Sequence, residues 1–203
     1  MEYFELHPVN PQQRFISKAV DVLKSGGLII FPTDTYYGLG CDIFNKSGIE
    51  QISRIKNDFD NKLFSFICSD LKDISQYAKV SDYAYKMMRK LLPGPYTFIL
   101  PAAKVVPKKL WSKRKTVGIR VPDHAVTIEI VKQLGNPVVS SSTTTRKGEP
   151  VTDPLEIKNI FYSQVDLMLA SQNLIYKPSS VIDLSDEEPV IVREGAGDVS
   201  IFQ

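Results

Sequence analysis

From Pro11 to Lys24, Phe15, Ile16, Ala19, Val20 and Leu23 recur at helical spacing. With Asn10 as N-cap, Pro11 at the first helical position and Gly26-Gly27 as the stop, the pattern predicts an amphipathic helix. The apolar run Leu28 to Pro32 then reads as a short, fully buried strand. Ser47 with Glu50 three residues on forms a capping box ahead of Ile49, Ile52 and Ile55, so a second helix is expected to end near Lys56.

The alternation continues along the chain. Strands are predicted at 63–68, 96–100, 116–121, 137–140, 165–169, 180–184 and 189–193. Helices are predicted around 70–78, 81–92 and 124–134, with another opened by Asp153 and Pro154. The late strands have no helices between them. The pattern therefore points to the α/β (α+β) class: one domain over residues 1–203, with a twisted mixed sheet flanked by helices.

The chain has 203 residues, of which 43% are hydrophobic, enough for one sizeable core. Cys41 and Cys68 are the only cysteines, and neither has a CxxC partner or a neighbouring histidine, so no disulfide framework or metal site is expected. The first 15 residues lack the basic-then-apolar pattern of a leader, and no run is long enough to span a membrane, which predicts a soluble cytoplasmic protein. Net charge is only +2, but it is unevenly placed. Lys104, Lys108, Lys109, Lys113, Arg114, Lys115 and Arg120 lie between Pro101 and Arg120 with no acidic residue among them.

The usual phosphate loops, zinc-protease and nucleophile-elbow motifs are absent. His7 and His124 are the only imidazoles. His124 could serve as a general base, but a loop or helix-start role is the plainer reading. Four segments remain. In Pro32 to Asp42 a buried strand runs into two threonines, Asp34 and two glycines, which suits a small polar ligand at a strand end; a turn with ordinary hydrogen bonds explains the same residues. In Lys56 to Phe64, Lys56 and Lys62 bracket Asp58 and Asp60, as phosphate ligands or as a solvated connection. The third is a run of six hydroxyl residues, Ser140 to Thr145, followed by Arg146 and Lys147. Without an apolar member it is expected outside the core, as a phosphate cradle or a linker. The basic stretch Lys108 to Arg120 predicts contact with a polyanion. Its Trp111 could stack on a base, although anchorage in the core is the plainer reading.

Read in order, PTDTYYGLGCD, LLPGPYTFIL, TVGIRVPDH, PVVSSS, SSVIDL and VREGAG resemble the YrdC-like family over nearly the whole chain. HPVNPQQRF, KRKTVGIRVP and EEPVIVREGAGDVSIF are similar to its YciO branch in particular. The resemblance implies a YrdC-like fold with a basic concave face. It also implies the activity of the family's synthases, which join L-threonine, bicarbonate and ATP into threonylcarbamoyl-AMP for modification of transfer RNA. Carried over by residue, it places Thr35, Arg120 and Ser140 around threonine, and Thr116, Ser142 and Arg193 around ATP with Lys56 and Lys62 nearby. Magnesium would enter with the triphosphate rather than in a protein cage.

Two places depart from the family's pattern. Asp58 and Leu63 stand where it has Arg and Pro, and Thr144 stands where it has Asn, with Arg146 or Lys147 as possible replacements. An anion in place of a cation beside phosphate costs on the order of 4 kcal/mol per contact at intermediate dielectric. A non-catalytic protein of the YciO branch that binds double-stranded or transfer RNA through Lys108, Lys109, Lys113, Arg114 and Lys115 is therefore the alternative expectation. An enzyme handling carbamoyl or acyl phosphates is a third.

Overall fold

The chain begins with β1 (Glu2–Glu5), α1 (Gln13–Lys24), β2 (Ile29–Phe31), β3 (Gly38–Asp42), α2 (Lys46–Lys56) and β4 (Ser65–Ile67). It continues through α3 (Leu71–Tyr77), α4 (Asp82–Leu91), β5 (Tyr96–Pro101), a 3-10 turn (Lys108–Leu110), β6 (Thr116–Arg120) and α5 (Ala125–Leu134). It closes with β7 (Val138–Ser142), α6 (Pro154–Phe161), β8 (Leu167–Ala170), β9 (Ser180–Asp183), β10 (Val190–Arg193) and a second 3-10 turn (Ser200–Phe202). The structure is a computed structural model and describes residues 1–57, 64–145, 147–172 and 174–202.

Ten strands join in one sheet in the order β1-β8-β2-β3-β7-β4-β6-β5-β9-β10. The sheet is mixed, as the strand pattern predicted. β4–β6 and β5–β9 run parallel, whereas β2–β3, β3–β7, β4–β7 and β5–β6 run antiparallel.

Paired residues share a face of a sheet, so the register divides the side chains into two sets. One face carries Ile30, Leu39, Phe66, Phe98, Ile119, Val139 and Met168, all buried in the larger core. The other face changes character along its strands. Ile29, Phe31, Ile67 and Val138 form a second core with Ile16, Ala19, Val20 and Leu23 of α1 and Val126, Ile130 and Leu134 of α5. Further along, the same face carries Ser140 opposite both Ser65 and Gly40, and Gly118 opposite Ser65 and Ile99. Burying a large aliphatic or aromatic side chain contributes about 1.5–3 kcal/mol. The serines and glycines offer no such gain, and this end of the face forms the floor of a cleft.

Several local expectations are corrected. α1 begins at Gln13 with Gln12 as N-cap and no side-chain cap; the Asn10 and Val9 amides instead donate to Nδ1 of His7. The helix at Lys46 is capped by Asn45, whose side chain accepts from the Gly48 amide, rather than by Ser47. GLGCD is a strand, not part of a turn, and EYFE forms an edge strand. The hydroxyl run does not stay outside the core, since β7 extends through Ser142 and Ser140, Ser141 and Thr143 are buried. The backbone of the two serines is paired with β3 and β4, and Thr143 Oγ1 donates to the carbonyls of Tyr37 or Val151. Asp153 caps α6 with Pro154 in the first turn, as the sequence predicts. No helix among the described residues is long and apolar enough to cross a membrane.

Candidate functional site

The floor formed by Ser65, Gly118, Ser140 and Ser142 opens into a cleft of about 860 Å3. Glycine at position 118 keeps this floor low, because an added Cβ would meet the Thr97 side chain at 3.3 Å, closer than ordinary contact, and Ser65 at 3.4 Å. Lys56, Lys113, Arg120 and Arg193 line the cleft, and no carboxylate is among its described lining residues. The cavity therefore favours anions. It brings together Thr35, Arg120, Ser140, Thr116, Ser142, Arg193 and Lys56, all the described residues that the family resemblance assigned to threonine and ATP. Lys62, Asp58, Leu63 and Arg146 lie outside the described residues.

At one end, Arg120 leaves the last position of β6 and is buried, with its Nη2 donating to Asp34 Oδ1 at 2.8 Å and to Thr35 Oγ1 at 2.9 Å. The other carboxylate oxygen of Asp34 accepts from the Asp123 amide at 3.1 Å, so one side chain ties the turn after β2 to the segment after β6. Arg120 Nε is buried without a partner among the described residues, which leaves the guanidinium with unused donor capacity. Burial lowers its proton affinity, Asp34 counters that effect, and Arg193 adds to the depression. The group stays charged, since arginine does not deprotonate in proteins. Arg193 is itself anchored, donating from Nε and Nη2 to the Ser179 carbonyl at 3.0 and 2.9 Å, while Ser179 and Thr97 share a hydrogen bond between hydroxyls at 2.8 Å.

Asp34 belongs to the first candidate segment of the sequence, which gave it no partner and no role of its own. Its signal is a carboxylate at the end of a fully apolar strand, a position that requires a cation brought from elsewhere.

Toward the other end, Lys56 closes α2 and reaches across to β7. Its Nζ donates to the Ser142 carbonyl at 2.8 Å and to Thr144 Oγ1. Thr144 bridges to Pro150, and the Thr145 amide donates to the Glu149 carbonyl at 2.8 Å, so the loop after β7 folds back on itself at the cleft rim. Lys147 is exposed on that loop.

The basic stretch divides. Lys109 pairs with Glu50 at 2.8 Å, and Arg114 pairs with Asp183 at 3.0 Å and Asp186 at 2.6 Å. Lys108, Lys113 and Lys115 are exposed and make no ion pair among the described residues, and Lys113 lines the cleft. Trp111 is half-buried against the larger core and donates from Nε1 to the Val106 carbonyl at 3.1 Å, yet it also forms part of the cleft wall. His124 does not line the cleft. It is the buried residue before α5, with Nε2 against the Gln172 carbonyl at 3.2 Å and Nδ1 without a partner among the described residues. Both cysteines are buried, which pushes their thiols up and out of reactive range.

A family model for Sua5, YciO and YrdC proteins, described as telomere recombination, matches residues 21–195. The uncharacterized protein YciO of Escherichia coli (strain K12) is 44% identical over 203 residues, covering 99% of this chain and 98% of its own. The crystal structure of E. coli YciO superposes with a TM-score of 0.95 over 100% of both chains. A threonylcarbamoyl-AMP synthase of Coxiella burnetii (strain RSA 493 / Nine Mile phase I) is 32% identical over 155 residues, 76% of this chain and 83% of that protein. The structure of Pyrococcus abyssi Sua5 complexed with L-threonine shares the fold at a TM-score of 0.88 with 23% identity, over 96% of this chain and 58% of the other. Motif order, sheet topology and these likenesses agree, and the chain belongs to the Sua5/YciO/YrdC family.

Proposed function

We propose that the cleft binds L-threonine and ATP and joins them with bicarbonate into threonylcarbamoyl-AMP, releasing pyrophosphate and water. The observation that carries this reading is the cleft's charge: a buried Arg120 held by Asp34 and Thr35, with Lys56, Lys113 and Arg193 around the same cavity and no carboxylate among its described lining residues. A fixed guanidinium suits the threonine carboxylate. The carbamate formed on the threonine amine attacks the α-phosphate, and the reaction then needs stabilisation of charge on the departing pyrophosphate rather than a side-chain nucleophile. Lys56 and Arg193 supply cations for that purpose, and magnesium arrives with the triphosphate as part of the substrate.

The test is incubation of the purified protein with ATP, threonine and bicarbonate, followed by assay of pyrophosphate and the adenylate. Turnover that disappears in Arg120→Ala supports the reading. No product under conditions where a threonylcarbamoyl-AMP synthase turns over overturns it.

Lys108, Lys113 and Lys115, exposed and without an ion pair among the described residues, favour a second reading, in which the cleft rim binds double-stranded or transfer RNA. Affinity should then fall steeply with salt, and Lys113→Glu with Lys115→Glu should weaken it. Arg114→Glu should matter less, because Asp183 and Asp186 already occupy that cation. Binding unchanged by the lysine reversals would exclude this surface.

A further inference from the structure

We infer that Trp111, with Leu110 beside it, is the platform on which the purine base of the nucleotide stacks; the inference rests on the ATP reading above. Trp111 is the only tryptophan of the chain and its indole is already oriented, with Nε1–H on the Val106 carbonyl at 3.1 Å and part of the ring packed against the core. The following residue is clamped to the start of β6, since the Ser112 amide donates to the Thr116 carbonyl at 2.9 Å and the Ser112 and Thr116 hydroxyls lie 2.6 Å apart. The ring therefore lines the cleft without free rotation, so a ligand stacking on it meets little ordering cost.

The floor of the sheet fixes where this platform lies. Thr116, Gly118 and Arg120 occupy the same face of β6, so the Trp111 end and the Arg120 end are separated by four residues, about 13 Å at the rise of a strand. Across the strands, Ser142 of β7, whose carbonyl holds the Lys56 ammonium, is separated from β6 by β4, about 10 Å at two interstrand spacings. The cleft thus has three poles: a guanidinium for a carboxylate, an ammonium for phosphates, and an aromatic wall for a group that has a π-face and no charge. An adenylate carrying an amino acid on its phosphate has those three parts. Its base, unlike its anionic parts, gains from apolar contact with Leu110, Trp111 and Ile99, which line the cleft together.

The test uses the full-length protein and its tryptophan emission during titration with ATP and with inorganic tripolyphosphate, which has the phosphates and no base. ATP should change the emission and tripolyphosphate should not. Trp111→Leu should weaken ATP about 5- to 150-fold by calorimetry, the range expected for one stacked base, while tripolyphosphate affinity stays within about twofold. Trp111→Phe, which keeps a ring, should recover most of the ATP affinity. Equal losses for ATP and tripolyphosphate, or ATP affinity indifferent to Trp111→Leu, would overturn the platform alone. Failure of the unaltered protein to bind ATP would overturn the nucleotide reading with it.

Discussion

Arg120 Nη2 lies 2.8 Å from Asp34 Oδ1 with both side chains buried, and this contact joins the turn after β2 to the end of β6 across 86 residues of sequence. A charge pair removed from water is expensive to form and more expensive to break, because the remaining partner stays buried without its counter-charge. Asp34→Asn is expected to lower stability by about 3–5 kcal/mol and to weaken threonine binding, since the guanidinium loses the group that aims it. Urea unfolding and calorimetric titration with threonine read the two effects. Arg120→Lys should retain more stability than Asp34→Asn and still lose threonine affinity, because an ammonium cannot keep the Asp34 bond and offer a forked donor pair at once. An unfolding midpoint unmoved by Asp34→Asn would contradict the structural role.

Lys56 is the corresponding contact at the opposite end, donating to the Ser142 carbonyl and to Thr144 Oγ1. Its neutral removal should act on phosphate binding and leave the carboxylate end intact. Lys56→Ala is expected to weaken ATP and tripolyphosphate alike by roughly 10- to 100-fold, the range of a charge-assisted hydrogen bond, with threonine affinity within about twofold. Thr144→Val should have a smaller effect, because the Ser142 carbonyl still holds the ammonium. Equal losses of threonine and ATP affinity in Lys56→Ala would show that the two ends do not act separately.

The periodic parts of the sequence were the legible ones. α1 and the strands around Ile29–Phe31, Tyr96–Pro101 and Thr116–Arg120 follow from apolar spacing alone. β3 escaped because two of its five residues are glycine, which gives no β signal. The glycines are there for close approach, since a Cβ at Gly40 would fall 2.2 Å from the Val139 carbonyl. The serines of β7 looked like a loop because hydroxyls are usually solvated, whereas here their backbone is paired by β3 on one side and β4 on the other. The basic stretch looked uniform because its compensating carboxylates are remote: Glu50 is 59 residues from Lys109 and Asp183 is 69 from Arg114. The cleft residues were placed through the order of motifs, which local chemistry alone did not resolve, and Asp34 required the long-range contact to be seen.

His124 links the same region to pH. It is buried at the start of α5 beside the Asp34 and Asp123 segment, with Nδ1 unpartnered among the described residues. Burial holds its proton affinity below the ordinary 6.5, although its bond to the Gln172 carbonyl and the nearby Asp34 and Asp123 oppose the shift. A histidine kept neutral in the fold and protonated when unfolded favours unfolding as pH falls. Its contribution to stability is therefore full above about pH 6.5 and is lost progressively below it, by at most about 1.4 kcal/mol per pH unit for one proton. Urea midpoints at pH 7.5 and 5.5 should fall less in His124→Gln than in the unaltered protein, because glutamine can donate to Gln172 and does not titrate. Parallel pH profiles for the two proteins would show that the destabilising proton is taken up elsewhere.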